Sequence, residues 1–364
     1  MELTDSQAAA LAHIREYAKS RKGAALATIA HILKMSNVSK EAFEKAVVQL
    51  KLNSRVALHF HPDRLAPQMK TVAEALLEQG IYKSQFETML SNGSLSAQPG
   101  GERDLWEKQL YGGAYHKKGP DFSDRPRYGA LDLFGSYDGP APRFGSCYFV
   151  LKREVSDRCT FTYLDSSRNP DEKGTFEEFD DILAALLEET FTREFALGER
   201  SLTVPKLIRY LNESCGPSIK LSRDEPKRSL DHYIEAQVHS VVSLNKDVEK
   251  LVADSCFKAT ETGKFLQEIC RTNSIPLAWH PGFALPLHDT PSDFRGPTMP
   301  SLAKRVANGG HVDAHMIGVS AADLRANPEN WADRGSYKEV LQELKLLWHV
   351  LVKFGKPLHT VKST

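Results

Sequence analysis

The sequence has no net charge of either sign, since 47 Lys and Arg residues balance 47 Asp and Glu residues among 364. A protein that binds nucleic acid over a large footprint usually carries a basic excess, so we expect no nucleic-acid partner. No apolar run reaches the roughly 18 residues of a membrane helix, and the N-terminus lacks the pattern of a secretory signal. We therefore expect a protein without a membrane-spanning segment.

Cysteine is scarce, and the common catalytic motifs are missing. The five cysteines form no Cys-x-x-Cys pair, which is typical of reduced thiols in a cytosol-like environment. There is no P-loop, no Gly-x-Gly-x-x-Gly, no Gly-x-Ser-x-Gly and no His-Glu-x-x-His. The commonest nucleotide-binding, hydride-transfer and hydrolase signatures are therefore excluded.

Apolar residues make up 41% and charged residues 26% of the chain, which are the proportions of a globular protein of about two domains. Helical periodicity dominates both ends, whereas short strand-like runs dominate the middle. We predict an α+β fold with a strand-rich core. Its regions are an N-terminal helical region at 1–54, core segments at 55–170 and 221–300 with an acidic helical insertion at 171–220 between them, and a C-terminal helical region at 301–364.

Several local patterns refine this outline. Thr4 and Gln7 fit a capping box at the start of the first helix. A helix is predicted over about 68–90, and an amphipathic helix over 337–354. Residues 276–300 carry six of the 19 prolines and are expected to form an extended covering segment.

The segment at 171–200 differs from its surroundings in charge. It contains ten acidic and three basic residues. Apolar residues at helical spacing predict that the same segment has a buried face.

The first cluster with chemical potential is Leu58-His-Phe-His-Pro-Asp-Arg64. Strand alternation places His59 and His61 on one face, and Pro62 ends the strand so that Asp63 lies at its exit. One interpretation is a zinc site on the two histidines, with His280, His311 and His315 as remote further ligands. A second is a J-domain-like His-Pro-Asp motif, and a third is a pair of histidines that caps a strand.

The second cluster is Tyr233-Ile-Glu-Ala-Gln-Val-His239. If it is a strand, Glu235, Gln237 and His239 share a face, and a buried glutamate there needs a partner. That polar face would line a cleft. The alternative is a half-exposed edge strand without a site.

Four loops combine glycine with small or aromatic residues, at 91–93, 112–115, 127–130 and 144–146. Glycine lets a ligand approach the backbone, and a neighbouring tyrosine can stack on a flat ring. Each loop alone is equally typical of an ordinary turn.

The order of these blocks along about residues 50–355 resembles one family. RVALHFHPDR, the SNG turn, GGERDLWEKQLYGGAY, RPRYGAL, RFGSCYF, YIEAQVH, AWHPGF, FRGP and LQELKLLWHVLVKFG follow one another as they do in the CteC-like bacterial ADP-ribosyltransferases. The resemblance implies a split PARP-like β core with flanking helices. It also implies mono-ADP-ribosyl transfer from NAD to a threonine of ubiquitin, which blocks host ubiquitination.

The resemblance also implies the catalytic groups, because the family has an Asp–Glu pair as its consensus. Glu235 in YIEAQVH corresponds to the glutamate, and Asp63 in HFHPDR to the aspartate, with Asp132 in YGALDLF as the alternative. A carboxylate beside the ribose stabilises the oxocarbenium charge, and a second carboxylate accepts or orients the hydroxyl proton of the acceptor.

Five further residues are expected to bind NAD. His61 and Tyr115 fall where the His-Tyr-Glu class places its first-strand histidine and its tyrosine, and Ser146 where the other class has its serine motif. Arg64 is suited to a diphosphate oxygen, and Tyr115 or Tyr128 to stacking on nicotinamide. No metal is required by this chemistry.

The resemblance further implies a monomeric, secreted bacterial effector that acts in the host cytosol; without export, the protein would be cytoplasmic. Charge and position suggest 171–215 as the ubiquitin-targeting region. Ser240 stands where the family favours glycine. The alternative function is a non-catalytic J-like interaction module.

Overall fold

The computed structural model describes residues 2–66, 70–89, 97–117, 121–214 and 228–361. The Ser91-Asn92-Gly93 turn and Cys215 lie outside these residues. The chain folds as an α+β protein with a mixed eight-stranded central sheet and flanking helices, as the sequence predicts.

The strands are short, and those of the central sheet are largely buried. They are β1 (Arg55–Phe60), β2 (Ile81–Tyr82), β3 (Arg127–Asp132), β4 (Cys147–Leu151), β5 (Cys159–Tyr163), β6 (Lys173–Thr175), β7 (Phe195–Ala196), β8 (Glu199–Arg200), β9 (Ile234–Val238), β10 (Val242–Ser243), β11 (Val248–Asp254), β12 (Leu277–His280), β13 (Ala284–Pro286) and β14 (His311–Asp313).

The helices range from one turn to about nine turns. They are α1 (Asp5–Met35), α2 (Lys40–Asn53), α3 (Val72–Gln79), α4 (Gln85–Thr88), α5 (Glu102–Leu110), α6 (Asp180–Arg193), α7 (Val204–Ser214), α8 (Leu244–Asp247), α9 (Glu261–Asn273), α10 (Met299–Val306), α11 (Ala314–Ala326), α12 (Tyr337–Phe354) and α13 (Leu358–Val361).

The central sheet has the order β12-β11-β4-β1-β3-β9-β5-β6, and β11 and β12 are parallel whereas the other neighbours are antiparallel. Side chains alternate between two unlike faces. One face carries Leu58, Phe149, Phe161 and Ala236 into the main hydrophobic core. The other face, which we call the polar face, carries buried polar side chains, among them Glu235.

The sheet splits between β1 and β3. These strands pair only over Arg55–Ala57 and Ala130–Asp132. Beyond that point β1 continues along β4 and β3 continues along β9, so the two halves diverge. Gly129 lies at the last close approach, where a Cβ atom would be 2.4 Å from the carbonyl oxygen of Ala57. The split opens towards the carboxyl end of β1.

The N-terminal region is helical, as predicted. α1 begins at the expected capping box of Thr4 and Gln7, and it is one helix of 31 residues. α2 is capped by Ser39, whose side chain accepts a hydrogen bond from the backbone of Ala42. At the other end, α12 coincides with the helix predicted over 337–354.

Two predicted segments are wrong in detail. The helix expected over 68–90 is divided into α3 and α4, because Gly80 ends α3 with φ of 63° and β2 follows. The extended segment expected over 276–300 includes β12, an edge strand of the central sheet, and the first residues of α10.

The acidic insertion is built into the fold. Its first strand, β6, is an edge of the central sheet, and α1 lies along α6. Lys22 Nζ is 2.9 Å from Glu178 and 3.3 Å from Asp180, and Arg21 donates to Asp181 at 2.9 Å. Part of the acidic charge is therefore neutralised within the protein.

Across the described ranges, with their gaps, the helices are all too short or too polar to cross a membrane.

Candidate active site

The centre of the site is Glu235 on the polar face of β9. Its Cα pairs with Ala130 of β3 and Thr162 of β5, so it lies in the middle of one half of the split sheet. Glu235 is 5% exposed, and Gln237 and His239 on the same face are fully buried. The predicted polar row of β9 is confirmed, and it belongs to an interior strand instead of an edge.

A directed chain of hydrogen bonds reaches Glu235. Gln237 Nε2 donates to Glu235 Oε1 at 2.9 Å, and the Thr160 hydroxyl donates to Gln237 Oε1 at 2.8 Å. Because the Thr160 proton is used there, His239 Nε2 donates to Thr160 Oγ1 at 3.1 Å, and the Tyr115 hydroxyl donates to His239 Nδ1. Every donor points towards the carboxyl group, whose orientation is therefore fixed.

The carboxyl group of Glu235 is held largely in its protonated form. Burial, together with the negative charge of Asp165, raises its pKa to about 8. Hydrogen bonds from Ser166 and Gln237 and the positive charge of Arg103 act in the opposite direction. A positive group brought next to Glu235 would favour the ionised form.

Asp165 is the second carboxyl group of the site, and sequence reasoning missed it. It lies two residues after the end of β5 and accepts hydrogen bonds from the Tyr233 hydroxyl at 3.0 Å and from the backbone of Ser167 at 2.9 Å. Burial alone would raise the pKa of Asp165, but these hydrogen bonds and the charge of Arg143 lower it. The signal that could have found it is its position after the strand that pairs with β9.

Helix α5 adds a buried cation to the site. The guanidinium carbon of Arg103 lies 4.3 Å from the ring centre of Trp106 and 4.7 Å from that of Tyr128. Arg103 Nε and Nη1 are buried without a hydrogen-bond partner among the described residues. The Tyr128 hydroxyl donates to Glu107 at 2.7 Å, and Arg125 donates to the other oxygen of Glu107 at 2.8 Å.

Asp63 lies in a different environment from Glu235. It is near His315, at 3.9 Å, and the charges of Asp254 and Asp313 act on it. Burial raises the pKa of Asp63 to about 7, and Asp63 Oδ2 has no hydrogen-bond partner among the described residues. A Cβ atom at Gly318 would overlap this carboxyl group, so α11 packs directly against it.

The expected Asp63–Glu235 pair is not assembled by the structure. Ala57 of β1 and Glu235 both pair with Ala130, so two strand spacings, roughly 10 Å, separate β1 from β9. Asp63 follows the end of β1 on the side where the sheet splits. Sequence reasoning failed here because the distance between the two strands cannot be read from either strand alone.

The alternative aspartate and the predicted histidine ligand have structural partners. Asp132 Oδ1 accepts hydrogen bonds from the backbone of Phe134 at 3.1 Å and Gly135 at 2.8 Å, which stabilise a turn. His59 Nδ1 contacts the Gly145 carbonyl at 2.9 Å, and its Nε2 accepts from the Ala141 N–H at 3.3 Å. Both ring nitrogens of His59 are thus occupied. In the described part of the chain, no group of three or more His, Cys, Asp or Glu residues is arranged to hold a metal ion.

A cavity of about 310 Å³ lies where the sheet splits. Its lining includes Phe60 of β1, Arg127 and Tyr128 of β3, and His61 and Arg64, which follow β1. Three of the five predicted NAD-binding residues therefore line one cavity. Glu235 does not line the cavity. Tyr128 connects the cavity with the polar row of β9, because it lines the cavity and its Cα pairs with that of Gln237.

The remaining two predicted NAD-binding residues lie elsewhere. Tyr115 is the outer end of the hydrogen-bond chain described above. Ser146 is buried, and its carbonyl oxygen accepts a hydrogen bond from His280 Nε2 at 2.7 Å. The backbone of Ser146 thus has a structural contact. A segment from Ser136 to Gly145 covers the polar face between β4 and β9, with Phe144 against Tyr233.

These features define an α+β protein whose split sheet carries the buried, hydrogen-bonded carboxyl group of Glu235 on one face, with the half-buried Asp165 in the loop after β5 and a cavity at the split. Residues 55–354 match a family described as "Protein of unknown function (DUF3626)", and the chain belongs to this family. The match begins at the first residue of β1 and ends at the last residue of α12, so it includes the whole central sheet. A comparison with the curated proteins found no match.

Proposed function

We propose that the protein is a mono-ADP-ribosyltransferase that transfers ADP-ribose from NAD to a hydroxyl group of a protein. The observation that carries this proposal is the pair of Glu235 and Asp165, one carboxyl group with a raised pKa and one with a lowered pKa. Divergent pKa values of neighbouring carboxyl groups are typical of paired catalytic acids and bases. The fixed orientation of Glu235 adds the preorganisation that such chemistry needs.

The reaction makes use of this pair as follows. The bond between the ribose C1′ and the nicotinamide nitrogen breaks, and its electron pair stays on the nicotinamide. The reactive form is the one in which Glu235 has already lost its proton to solvent, and this carboxylate stabilises the positive charge that develops on the ribose. The acceptor oxygen bonds to C1′, and its proton passes to a carboxylate. We assign that second role to Asp165 in place of Asp63, because Asp165 acts directly on Glu235.

The cavity at the split supports the binding of a nucleotide. Its residues combine aromatic rings, Phe60 and Tyr128, with the cations Arg64 and Arg127, which suit a flat ring and phosphate oxygens. Since Glu235 is almost completely buried, access of the reacting ribose requires the segment that covers the polar face to move. Tyr128 is the group past which the substrate would extend from the cavity to Glu235.

The proposed acceptor is a threonine of ubiquitin, with the protein acting as a bacterial effector in the host cytosol. The acidic region is the proposed contact with a basic protein surface. Because acids next to α1 are already paired, outward-facing acids such as Glu188 and Glu194 are the groups left for such a contact.

The alternative of a J-like module receives less support. Its His-Pro-Asp motif would need an exposed loop between two helices. Here β1 precedes His61, and the Asp63 carboxyl group is buried against α11.

Release of nicotinamide from NAD tests the proposal. The wild-type protein should release nicotinamide, and Glu235→Gln should abolish release while the protein remains folded. Glu329→Gln, which neutralises an exposed acid outside the proposed site, is the matched control and should behave as the wild type. Equal release by the wild type and Glu235→Gln would contradict the role of Glu235.

A further inference from the structure

A group of cationic side chains converges between α12 and the loops that precede β4 and α10. Lys345 and His349 are four residues apart on α12 and so share a face of the helix. The charges of Arg143 and Arg295 act on both of them, and the charge of Arg64 acts on Lys345. We call these five residues, Arg64, Arg143, Arg295, Lys345 and His349, the α12 cationic cluster.

Trp348 holds this part of α12 in place. Its Nε1 donates to the carbonyl oxygens of Pro142 at 3.2 Å and Arg143 at 3.0 Å. Its ring lies 4.9 Å from that of His61, edge to face. The helix is therefore packed against the loop that carries Arg143 and against the end of β1, where Arg64 follows.

Asp231 is a carboxylate next to the arginines of the cluster. It pairs with Arg143, and its other oxygen is 3.9 Å from Arg295 Nη2. Asp231 is 39% exposed, so its charge is partly screened by solvent. Burial and the charges of the three arginines lower the pKa of Lys345 to about 8.

His349 gives an independent indication of a missing ligand. It is 3% exposed, and neither of its ring nitrogens has a hydrogen-bond partner among the described residues. Arg295 Nε is likewise buried without a partner there. Buried polar groups are nearly always hydrogen-bonded in folded proteins, so these donors point to a bound group that accepts hydrogen bonds.

We propose that the α12 cationic cluster is a diphosphate-binding site. Guanidinium groups bind phosphate oxygens through paired N–H donors, Lys345 adds a point charge, and neutral His349 adds one N–H donor. Phosphate oxygens supply the acceptors that the buried donors lack. The side chains of Arg143 and Arg295 are about a quarter exposed, so an anion can reach the cluster from solvent.

The position of the cluster deepens the proposed function, on which this step rests. Arg64 belongs both to the cluster and to the lining of the cavity at the split. Arg143 acts on Asp165, and the adjacent Phe144 packs against Tyr233. A diphosphate bound here would hold a dinucleotide between the cavity and the carboxyl pair.

Binding of inorganic pyrophosphate, ADP-ribose and adenosine to the full-length protein, measured by calorimetry, tests the site. We compare the wild type with Lys345→Gln and with Lys338→Gln, an exposed lysine on the same helix that provides the matched charge change. Pyrophosphate and ADP-ribose should bind the wild type and Lys338→Gln with equal affinity. Their affinity for Lys345→Gln should be about tenfold or more lower, because a charged contact is lost. Adenosine, which has no phosphate, should show no difference between the variants.

A thermal melt of Lys345→Gln keeps the result interpretable, because removal of a poorly balanced, half-buried charge should leave Tm unchanged or raise it. Equal affinities of Lys345→Gln and Lys338→Gln for both phosphate ligands, or no binding of either by the wild type, would overturn the site. Binding of pyrophosphate but not ADP-ribose would support an inorganic anion as the ligand. If pyrophosphate binds but no nicotinamide is released from NAD, the site is supported and the transferase activity is contradicted. If the wild type and Lys345→Gln release nicotinamide equally, the transferase activity is supported and the site is contradicted.

Discussion

Asp165, in the loop after β5, and Glu235, on the neighbouring strand β9, are carboxyl groups whose pKa values are moved in opposite directions. Burial and the charge of Asp165 raise the pKa of Glu235 to about 8, whereas hydrogen bonds from Ser167 and Tyr233 keep the pKa of Asp165 low despite its burial. One group is therefore mostly protonated and the other ionised near neutral pH. The two roles of an acid–base pair are set by the environment before any substrate binds.

The pH dependence of NAD cleavage should follow Glu235. Because its ionised form stabilises the ribose cation, kcat/KM should rise with pH around a midpoint near 8. The charged and hydrogen-bonding groups that act on Glu235 are Asp165, Arg103, Ser166 and Gln237. Arg103→Met removes a charge that lowers this pKa, so its midpoint should be higher than that of the wild type. An identical midpoint would contradict the influence of Arg103.

Glu235→Gln should also change stability in a pH-dependent way. The pKa of about 8 in the folded protein lies above the ordinary value of 4.5 for a glutamate. Burial of the protonated group therefore costs little below pH 4.5, and the fold loses stability as pH rises from 4.5 towards 8. Thermal melts should show that Glu235→Gln raises Tm, by an amount that grows from pH 5 to pH 8. At pH 8 the corresponding gain in the free energy of unfolding should reach about 5 kcal/mol. A gain independent of pH would indicate that Glu235 has an ordinary pKa.

The hydrogen-bond chain predicts an effect of Thr160 on catalysis. Thr160→Val keeps the shape of the side chain but leaves Gln237 Oε1 and His239 Nε2 without this partner. We expect kcat for NAD cleavage to fall about tenfold with little change in KM, and unfolding free energy to fall by about 1–3 kcal/mol. Thr192→Val on the exposed side of α6 is the control. A loss of stability with unchanged kcat would show that the hydrogen-bond chain has only a structural role.

The two aspartates are distinguished by substitution with asparagine. Asp165→Asn removes the charge that raises the pKa of Glu235, so the pH midpoint should fall below 8 and kcat should decrease. Asp63→Asn mimics the protonated form of a group with a pKa of about 7, so it should leave kcat unchanged and stabilise the fold above pH 7. Loss of kcat in Asp63→Asn with normal kcat in Asp165→Asn would restore Asp63 as the catalytic aspartate.

The close approach of β1 and β3 depends on Gly129. In Gly129→Ala the added Cβ atom would meet the Ala57 carbonyl oxygen at 2.4 Å, so we expect a loss of about 1–3 kcal/mol in unfolding free energy. Gly23→Ala in α1, where nothing lies within 4 Å, should instead stabilise by about 1 kcal/mol. Chemical denaturation of both variants measures the difference. Similar stability of the two would show that β1 and β3 can separate without cost.

The sequence predicts much of this architecture because its strands and helices are locally distinct. Apolar alternation locates β1, β4 and β9, and the spacing of Val340, Leu344, Leu347 and Leu351 locates α12. The acidic segment is recognisable by charge, but its ion pairs with α1 depend on a contact between parts of the chain far apart in sequence. Strand β12 is hidden because prolines surround it, and its pairing with β11 becomes visible only in the sheet.

Part of the candidate site could also be predicted, because it follows from the local pattern of one strand. The polar row of Glu235, Gln237 and His239 follows from the period of one strand. Asp165 was missed because its charge acts on Glu235 from the loop after another strand, and an Asp followed by serines resembles a turn. Asp63 was assigned from the resemblance of the HFHPDR block to the family, which says nothing of its distance from β9.

The most direct measurement is the intact mass of ubiquitin after incubation with the protein and NAD. The proposed function predicts one added ADP-ribose, about 541 Da, on ubiquitin treated with the wild-type protein and no addition with Glu235→Gln. Unmodified ubiquitin together with NAD that is not consumed would contradict the proposed transferase activity.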